Sequence, residues 1–405
     1  MKKLVFSIFA LGMMAASFTS CEDAPNDVIN NMVYISEAAS ASGNEIILGK
    51  TGEVSTAVVT VRSGQVATKN IKVKIALDDK ALANYNTRND VEFTMIPSEH
   101  IALPSEVVIP AGSSQVEVPF TVTSFDGEKG VEYAAPIKVI SADGVPVSTG
   151  SSAYIYTFGK PLVQKAPGFY YDSKMNMEWP EEYGKGMTNF TLEWWVRCTN
   201  RSGNGGFSVN NQAMFSFAAN KELYIRFGDL VYADQNASWR YLYNFLQIKT
   251  MGIDANYDSG NPNKTPLKWG EWIHFAHTYD AATGDVVLYM NGKEVNRNNG
   301  GAGTVFNFTG VSMFGSGYQY FKDIIEMCQL RMWKTTRTAA QIAKNMKKEV
   351  KYDDPNLLFY FPMNEGGGEE LFDVTGHGFK LKFGSGYTDG TPRREAYSWT
   401  EYTWE

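Results

Sequence analysis

WIHFAHTYDAATGDVVLYMNGKEV, residues 272–295, carries the strongest pattern in the chain. Ile273, Phe275, His277 and Tyr279 alternate with Trp272, His274, Ala276 and Thr278, the period of a strand half-buried on each face. Asp280-Ala281-Ala282-Thr283-Gly284 reads as a turn, after which Val286, Leu288 and Met290 alternate with Val287 and Tyr289. Asn291-Gly292 supplies the two positive φ angles of a tight type I′ turn and returns the chain through Lys293 to Val295. The stretch therefore predicts two short hairpins in an antiparallel sheet.

Three more segments extend the pattern: Phe190-Thr191-Leu192-Glu193-Trp194-Trp195-Val196, then Cys328-Gln329-Leu330-Arg331-Met332-Trp333 followed by Thr338 to Ile342, and finally Leu358 to Gly366 with Asp373-Val374-Thr375-Gly376. Together with the hairpins they resemble the laminin-G/concanavalin-A-like lectin domains, whose signature runs W-x-H-x-A-x-x-Y-D … L-Y-x-N-G. Four segments in the family's order span about residues 169–392. The resemblance implies a jelly-roll sandwich but not a ligand, since a fold does not dictate a function. Where the family carries Asp-Glu before Val-Arg-Ile-Trp, this chain has Cys328-Gln329, so any ionic role of that pair does not transfer.

The chain has 405 residues, room for two or three domains, and 24 Phe, 22 Tyr and 9 Trp, which suits an all-β protein with rings to spare. Its formal charge of −7 argues against a nucleic-acid partner. Lys344, Lys347, Lys348 and Lys351 form one cationic cluster on the expected short helix and read as a solvated face.

Residues 1–20 have the layout of an export signal: Lys2 and Lys3, an apolar run from Leu4 to Ala16, then Phe18-Thr19-Ser20 before Cys21. The segment resembles a bacterial lipoprotein signal, which implies lipidation of Cys21. Glu22, Asp23 and Asp27 resemble the acidic export tag of outer-membrane surface lipoproteins in Bacteroidetes-type bacteria. Residues 21–31 read as the tether. Cys198 and Cys328 remain, and their sequence leaves a disulfide and a buried thiol pair both open.

Residues 32–158 read as a separate all-β domain. Val58–Val61, Ile71–Leu77, Val107–Ile109, Val116–Val122 and Ile137–Ile140 alternate with period two between Gly, Pro, Ser and Asp turns, as in an immunoglobulin-like β-sandwich. Only Asp79 to Tyr85 reads as a helical turn. The runs VYISEA, ALANYN, LPSEVVIPAGSSQVEVPFTV and YAAPIKVISADG resemble the N-terminal module of Bacteroidetes surface lipoproteins that also precedes some endo-β-N-acetylglucosaminidases, which implies a spacer or accessory domain. Residues 159–168 read as a linker and 393–405 as a tail.

Concanavalin-A-like folds include glycoside hydrolases, whose retaining members carry a Glu-x-Asp-x-x-Glu strand that sets two carboxylates about 5 Å apart. That spacing is absent: Glu181-Glu182, Asp353-Asp354 and Glu369-Glu370 are neighbours, which on a strand face opposite ways. His274 and His277 likewise point to opposite faces and cannot share a metal ion. Asp373 reads as a side chain bonding turn amides. Calcium is left open on the loop with Asp254, Asn256, Asp258 and Asn261, which lacks a bidentate Glu at EF-hand spacing.

Sugars present C–H faces to aromatic rings and hydroxyls to amides and acids. Trp194, Trp272 and Trp333 fall on signature positions and read as core. The first candidate platform is Trp239, Arg240 and Tyr241, outside the signature and following Asp234, Gln235 and Asn236. Tyr318 and Tyr320 in a Gly-flanked loop come second, and Trp179 and Trp269 third. The expectation is a surface lipoprotein of the outer membrane that captures a glycan without cleaving it, for a neighbouring importer or glycanase of a polysaccharide-utilisation system. The resemblance points towards host N-glycan or mannose-type chains. A hydrolase on this fold, or an adhesion scaffold with protein partners, are the alternatives.

Overall fold

The computed structural model describes residues 31–199, 207, 209–228, 232–234, 237–254, 266–384, 391 and 393–404, with backbone alone at 232–234, 237–242 and 254. The export signal, Cys21 and the tether up to residue 30 lie outside the described residues, as do Asn256, Asp258 and Asn261 of the calcium loop. No described helix is long and apolar enough to cross a membrane.

The N-terminal domain is a two-sheet sandwich. One sheet runs in the order Val33–Ile35, Val54–Ser63, Gln115–Thr123, Ile101–Ala102. The other is built on Gly43–Ile47, Ala153–Gly159, Tyr133–Ala142, Ile71–Leu77 and Glu106–Ile109. The period-two pattern does the sorting: Ile71, Val73 and Ile75 are buried against Val59, Val61, Val118 and Phe120, while Lys72 and Lys74 face out. Each such aliphatic side chain contributes about 1.5–3 kcal/mol on burial. The helical turn expected at 79–85 is a full helix, Asp79–Asn89. Asp78 caps its start by accepting from the Ala81 amide at 2.7 Å, and Asp90 ends it at φ +52°. Only Leu82 of this helix is buried, so its apolar stripe was too thin to read beyond two turns.

The C-terminal domain packs two eight-stranded sheets face to face. The first runs Lys293–Asn299, Asp285–Met290, Ile273–Asp280, Asn189–Thr199, Ile324–Trp333, Leu162–Phe169, Ser398–Trp404, with Leu357–Phe361 also on Ile324–Trp333. The second centres on Leu246–Thr250, Leu223–Phe227, Gln212–Ala219, Phe308–Met313 and Met175–Glu178. Phe190, Leu192, Trp194, Val196 and Cys198 point into the space between them, against Phe215, Phe275 and Met313. Trp194 is core, as its signature position implied.

The deciding hairpins form as read, with Asn291 and Gly292 at φ +49° and +75°. Their burial differs: Ile273 to Tyr279 are buried throughout rather than half-buried. The reason is the helix Ala339–Asn345, which lays Ile342 over Ala276, Val287 and Tyr289 on the outer face. Two boundaries are corrected. Leu162–Phe169, read mostly as linker, and Ser398–Trp404, read as tail, are strands paired antiparallel from Leu162↔Trp404 to Gly168↔Ser398. A sheet edge leaves backbone donors and acceptors that only a further strand satisfies, so these flanking segments are recruited.

The lysine cluster is also more than a solvated face. Lys348 binds Glu132 of the N-terminal domain at 2.6 Å, and Lys129 reaches Glu349 at 3.2 Å. Between them Gly130, at φ +73°, lies so close to the Val350 carbonyl that a Cβ would sit 2.3 Å from it. Cys198 and Cys328 are free and buried.

Candidate functional site

Along Asn189–Thr199 every second residue faces away from the inter-sheet core, which puts Glu193, Trp195 and Arg197 on the outer face beside His274 and Trp272 of the neighbouring strand region. Near the end of the strand, this face opens into a cleft of about 770 Å³. Its floor and wall are aromatic. Trp195 and Trp404 pack at a tilt with 3.9 Å between ring centroids, with Trp272 at 5.5 Å and Tyr402 at 4.7 Å from Trp404. Trp195 and Trp404 are largely covered, whereas Tyr402 is 37% exposed and Trp272 half-buried, so these two offer ring surface to a ligand. Glu271, Asn291, Lys347 and Thr403 supply polar rim groups.

Two polar layers fix the rings. Arg197 holds Glu326 through Nε and Nη2, at 2.5 and 2.9 Å, and Thr400 donates to the same carboxylate at 2.5 Å. The guanidinium also lies 5.0 Å over the Trp272 ring. Such a bidentate pair is a rigid strut, tying the terminal strand across to the middle of the sheet. Deeper in, Glu193 meets Arg337 at 3.2 Å and His274 at 3.5 Å, and the His274 ring abuts Trp195. Burial alone would raise the Glu193 carboxyl, but His274, Arg337 and Arg331 outweigh it and hold the pKa low. Burial holds His274 below the ordinary histidine value despite Glu193. Trp195 itself donates from its indole nitrogen to the Met346 carbonyl at 2.5 Å.

The indole N–H groups of Trp272 and Trp404 have no acceptor among the described residues. Trp194 and Trp333 share this, but neither lines the cleft. A buried donor without a partner costs about 1–3 kcal/mol, and because both nitrogens are themselves covered, the polar groups that the cleft offers a ligand are those of its rim. The lining includes one carboxylate, Glu271, itself 3.2 Å from Lys268. No group of three or more His, Cys, Asp or Glu among the described residues is placed to hold a metal ion.

The sequence candidates divide. Trp269 is 57% exposed in the turn next to Gly270 of the cleft. Tyr318 and Tyr320 are exposed in the loop leading to Ile324, where Tyr318 packs on Tyr171 at 5.0 Å under the Lys322 ammonium at 3.4 Å. Trp239, Arg240 and Tyr241 lie on the strand Ala237–Leu242, which pairs with Tyr232–Asp234, and their side chains lie outside the described residues. The connector that carries them leaves the sheet at Phe227, beside Gln212, whose amide donates to Asp323 at 2.7 Å. Cleft, tyrosine loop and hairpin thus share one end of the sandwich. Trp179 is corrected: it lies towards the other end, packed edge-on against Phe359 and Phe379, with its indole nitrogen donating to the Tyr183 carbonyl at 3.1 Å. It is a packing residue.

Trp195, Arg197, Tyr402 and Trp404 were not singled out, and Trp272 was read as core. The signal was present in the phase of Glu193-Trp194-Trp195-Val196-Arg197, where the polar residues mark an outer face shared by Trp195, and in the ring-rich run Tyr397 to Trp404.

With this geometry in hand, the comparisons define the class. Residues 176–343, within the C-terminal domain, match the concanavalin A-like lectin/glucanases superfamily. Residues 29–146 match a family of N-terminal domains. Among solved structures, a Bacteroides ovatus protein with a proposed carbohydrate-binding role is 17% identical, covers 92% of this chain and 98% of its own, and superposes with a TM-score of 0.59. It shares the two-domain fold. EndoBT-3987 of Bacteroides thetaiotamicron, solved with a Man5GlcNAc product, is 16% identical over 32% of this chain and 30% of its own, at a TM-score of 0.28. A heptameric pentraxin of Limulus polyphemus is 12% identical over 45% of this chain and 79% of its own, at 0.29. These last two superpose too loosely to support any inference. No curated protein matches the chain.

Proposed function

We propose that the protein binds a glycan without cleaving it, in the cleft between Trp272 and Tyr402. The observation that carries this reading is an aromatic-walled cleft with a polar rim. Sugar C–H faces pack on Trp272 and Tyr402, and ring hydroxyls meet Glu271, Asn291 and Lys347. A retaining hydrolase needs two carboxylates about 5 Å apart and an inverting one needs a pair flanking a water. One lining carboxylate, already facing a lysine, favours capture over cleavage. Trp269, Tyr318 and Tyr320, and the strand bearing Trp239, Arg240 and Tyr241, extend the surface at the same end and suit a ligand of several sugar units. Lipidation at Cys21 would hold the protein on the outer face of the outer membrane, handing oligosaccharide, of host N-glycan or mannose type, to an importer or glycanase.

A glycan array followed by calorimetry on the best ligand tests this. Trp272→Ala and Tyr402→Ala should each weaken binding about tenfold to a hundredfold, a loss of about 1–3 kcal/mol, with little change in melting temperature for the exposed Tyr402. Incubation with the same ligand should release no product. Steady turnover, or full affinity in both variants, would overturn the reading.

A further inference from the structure

The N-terminal sandwich has its own concavity, of about 250 Å³, with chemistry opposite to that of the molecule as a whole. One wall is a face of the helix Asp79–Asn89, on which Lys80, Asn84 and Arg88 recur one turn apart. Lys138 stands on the adjoining strand Tyr133–Ala142, and Ser42 and Thr149 close the loop side. No Asp or Glu lines it. Asp78, outside the lining, binds Lys138 at 3.1 Å and also attracts Lys80, so a single carboxylate there faces two of the three cations. Lys80 and Arg88 take part in no ion pair among the described residues. In a chain of 37 basic and 44 acidic residues, three cations converging on a pocket without acid make a local positive field that concentrates anions.

We propose that this pocket is a second binding site, for an anionic sugar residue that carries a carboxylate or a sulfate ester. The guanidinium of Arg88 presents a planar fork that matches either group with two hydrogen bonds, and Lys80 adds a compact charge from the same helix face. Asn84, Ser42 and Thr149 offer the amide and hydroxyl groups that recognise ring hydroxyls. The small volume selects a single residue or chain end, since sites for larger ligands occupy about 300–1,000 Å³. This reading stands independently of the cleft and makes the N-terminal domain a binding module rather than a spacer alone.

The full chain should be titrated with glucuronate, glucose 6-sulfate, neutral glucose and inorganic sulfate, by calorimetry at low and at high salt. One or both acidic sugars should bind, more weakly as salt rises, and which of the two binds identifies the anionic group; glucose should not bind. The double variant Lys80→Ala/Arg88→Ala should lose at least tenfold in affinity while melting like the parent, because both side chains are exposed. Lys347→Ala and Trp272→Ala, in the cleft, should leave this binding unchanged. The proposal fails if neither acidic sugar binds, if the double variant binds them as well as the parent, or if a cleft variant abolishes binding. Inorganic sulfate binding as tightly as the acidic sugars would also overturn it, since the pocket would then read charge without sugar.

Discussion

His277 shows how far a single residue can depart from its usual chemistry here. It sits between the sheets near Phe190, with neither ring nitrogen partnered, and burial lowers its pKa from 6.5 to about 3. The folded state therefore keeps the ring neutral while the unfolded chain takes up a proton below pH 6.5. Its contribution is present above that value and is lost as pH falls towards 3. His277→Leu should lower the slope of stability against pH between 6 and 4 by about 1.4 kcal/mol per pH unit, read from denaturant titrations. An unchanged slope would mean that the ring is protonated in the native state. The paired His and Glu residues of the outer face belong to a different balance, because Arg337 and Arg331 share that charge.

At the scale of strands and helices, what could be read depended on whether a segment's own pattern or its neighbours fixed its structure. The hairpins at 272–299 were legible because Asn291-Gly292 and strict alternation act locally. The N-terminal strands followed for the same reason. Leu162–Phe169 and Ser398–Trp404 were not, because each is stabilised by the other across more than two hundred residues, and Pro167 and Gly168 look like loop residues in isolation. Tyr402, Thr403 and Trp404 of the cleft lie on the strand read as a tail, so that wall of the site was missed along with the element. Trp179 misled for the reverse reason: a ring outside the signature can still be core if sequence-distant phenylalanines, here Phe359 and Phe379, reach it. Deleting residues 398–404 should abolish glycan binding and expose the Leu162–Phe169 edge, with self-association visible by size-exclusion chromatography. A monomeric deletion variant that still bound glycan would place the site elsewhere.

For the whole molecule, the joint between domains is built from residues next to the cleft. Lys347 lines the cleft, Lys348 and Glu349 bind Glu132 and Lys129, and Arg331 donates to the Lys348 carbonyl from inside the sheet. The two ion pairs have reciprocal signs, which permits a clean exchange. Glu132→Lys and Lys348→Glu should each lower the melting temperature of the full chain, and the double exchange should recover most of the loss. The coupling should be about 0.5–1 kcal/mol, since both side chains remain partly in water. Additive losses in the double-mutant cycle would show that the domains do not meet through this pair in solution.

The strand pair at the domain edge has a mechanical consequence. Leu162, where the chain arrives from the N-terminal domain, lies opposite Trp404, and Tyr402 beside it lies opposite Gln164. Once the ion pairs of the joint have parted, a pull between the N-terminal domain and a ligand held on Tyr402 is carried by one antiparallel pair loaded at a single end. Its hydrogen bonds would then break one after another, as in a zipper, while the remaining strands of the sandwich bear little tension. The lateral strut from Arg197 through Glu326 to Thr400 crosses this pair at its far end, where it would arrest the tear before Gly168 and Ser398 part.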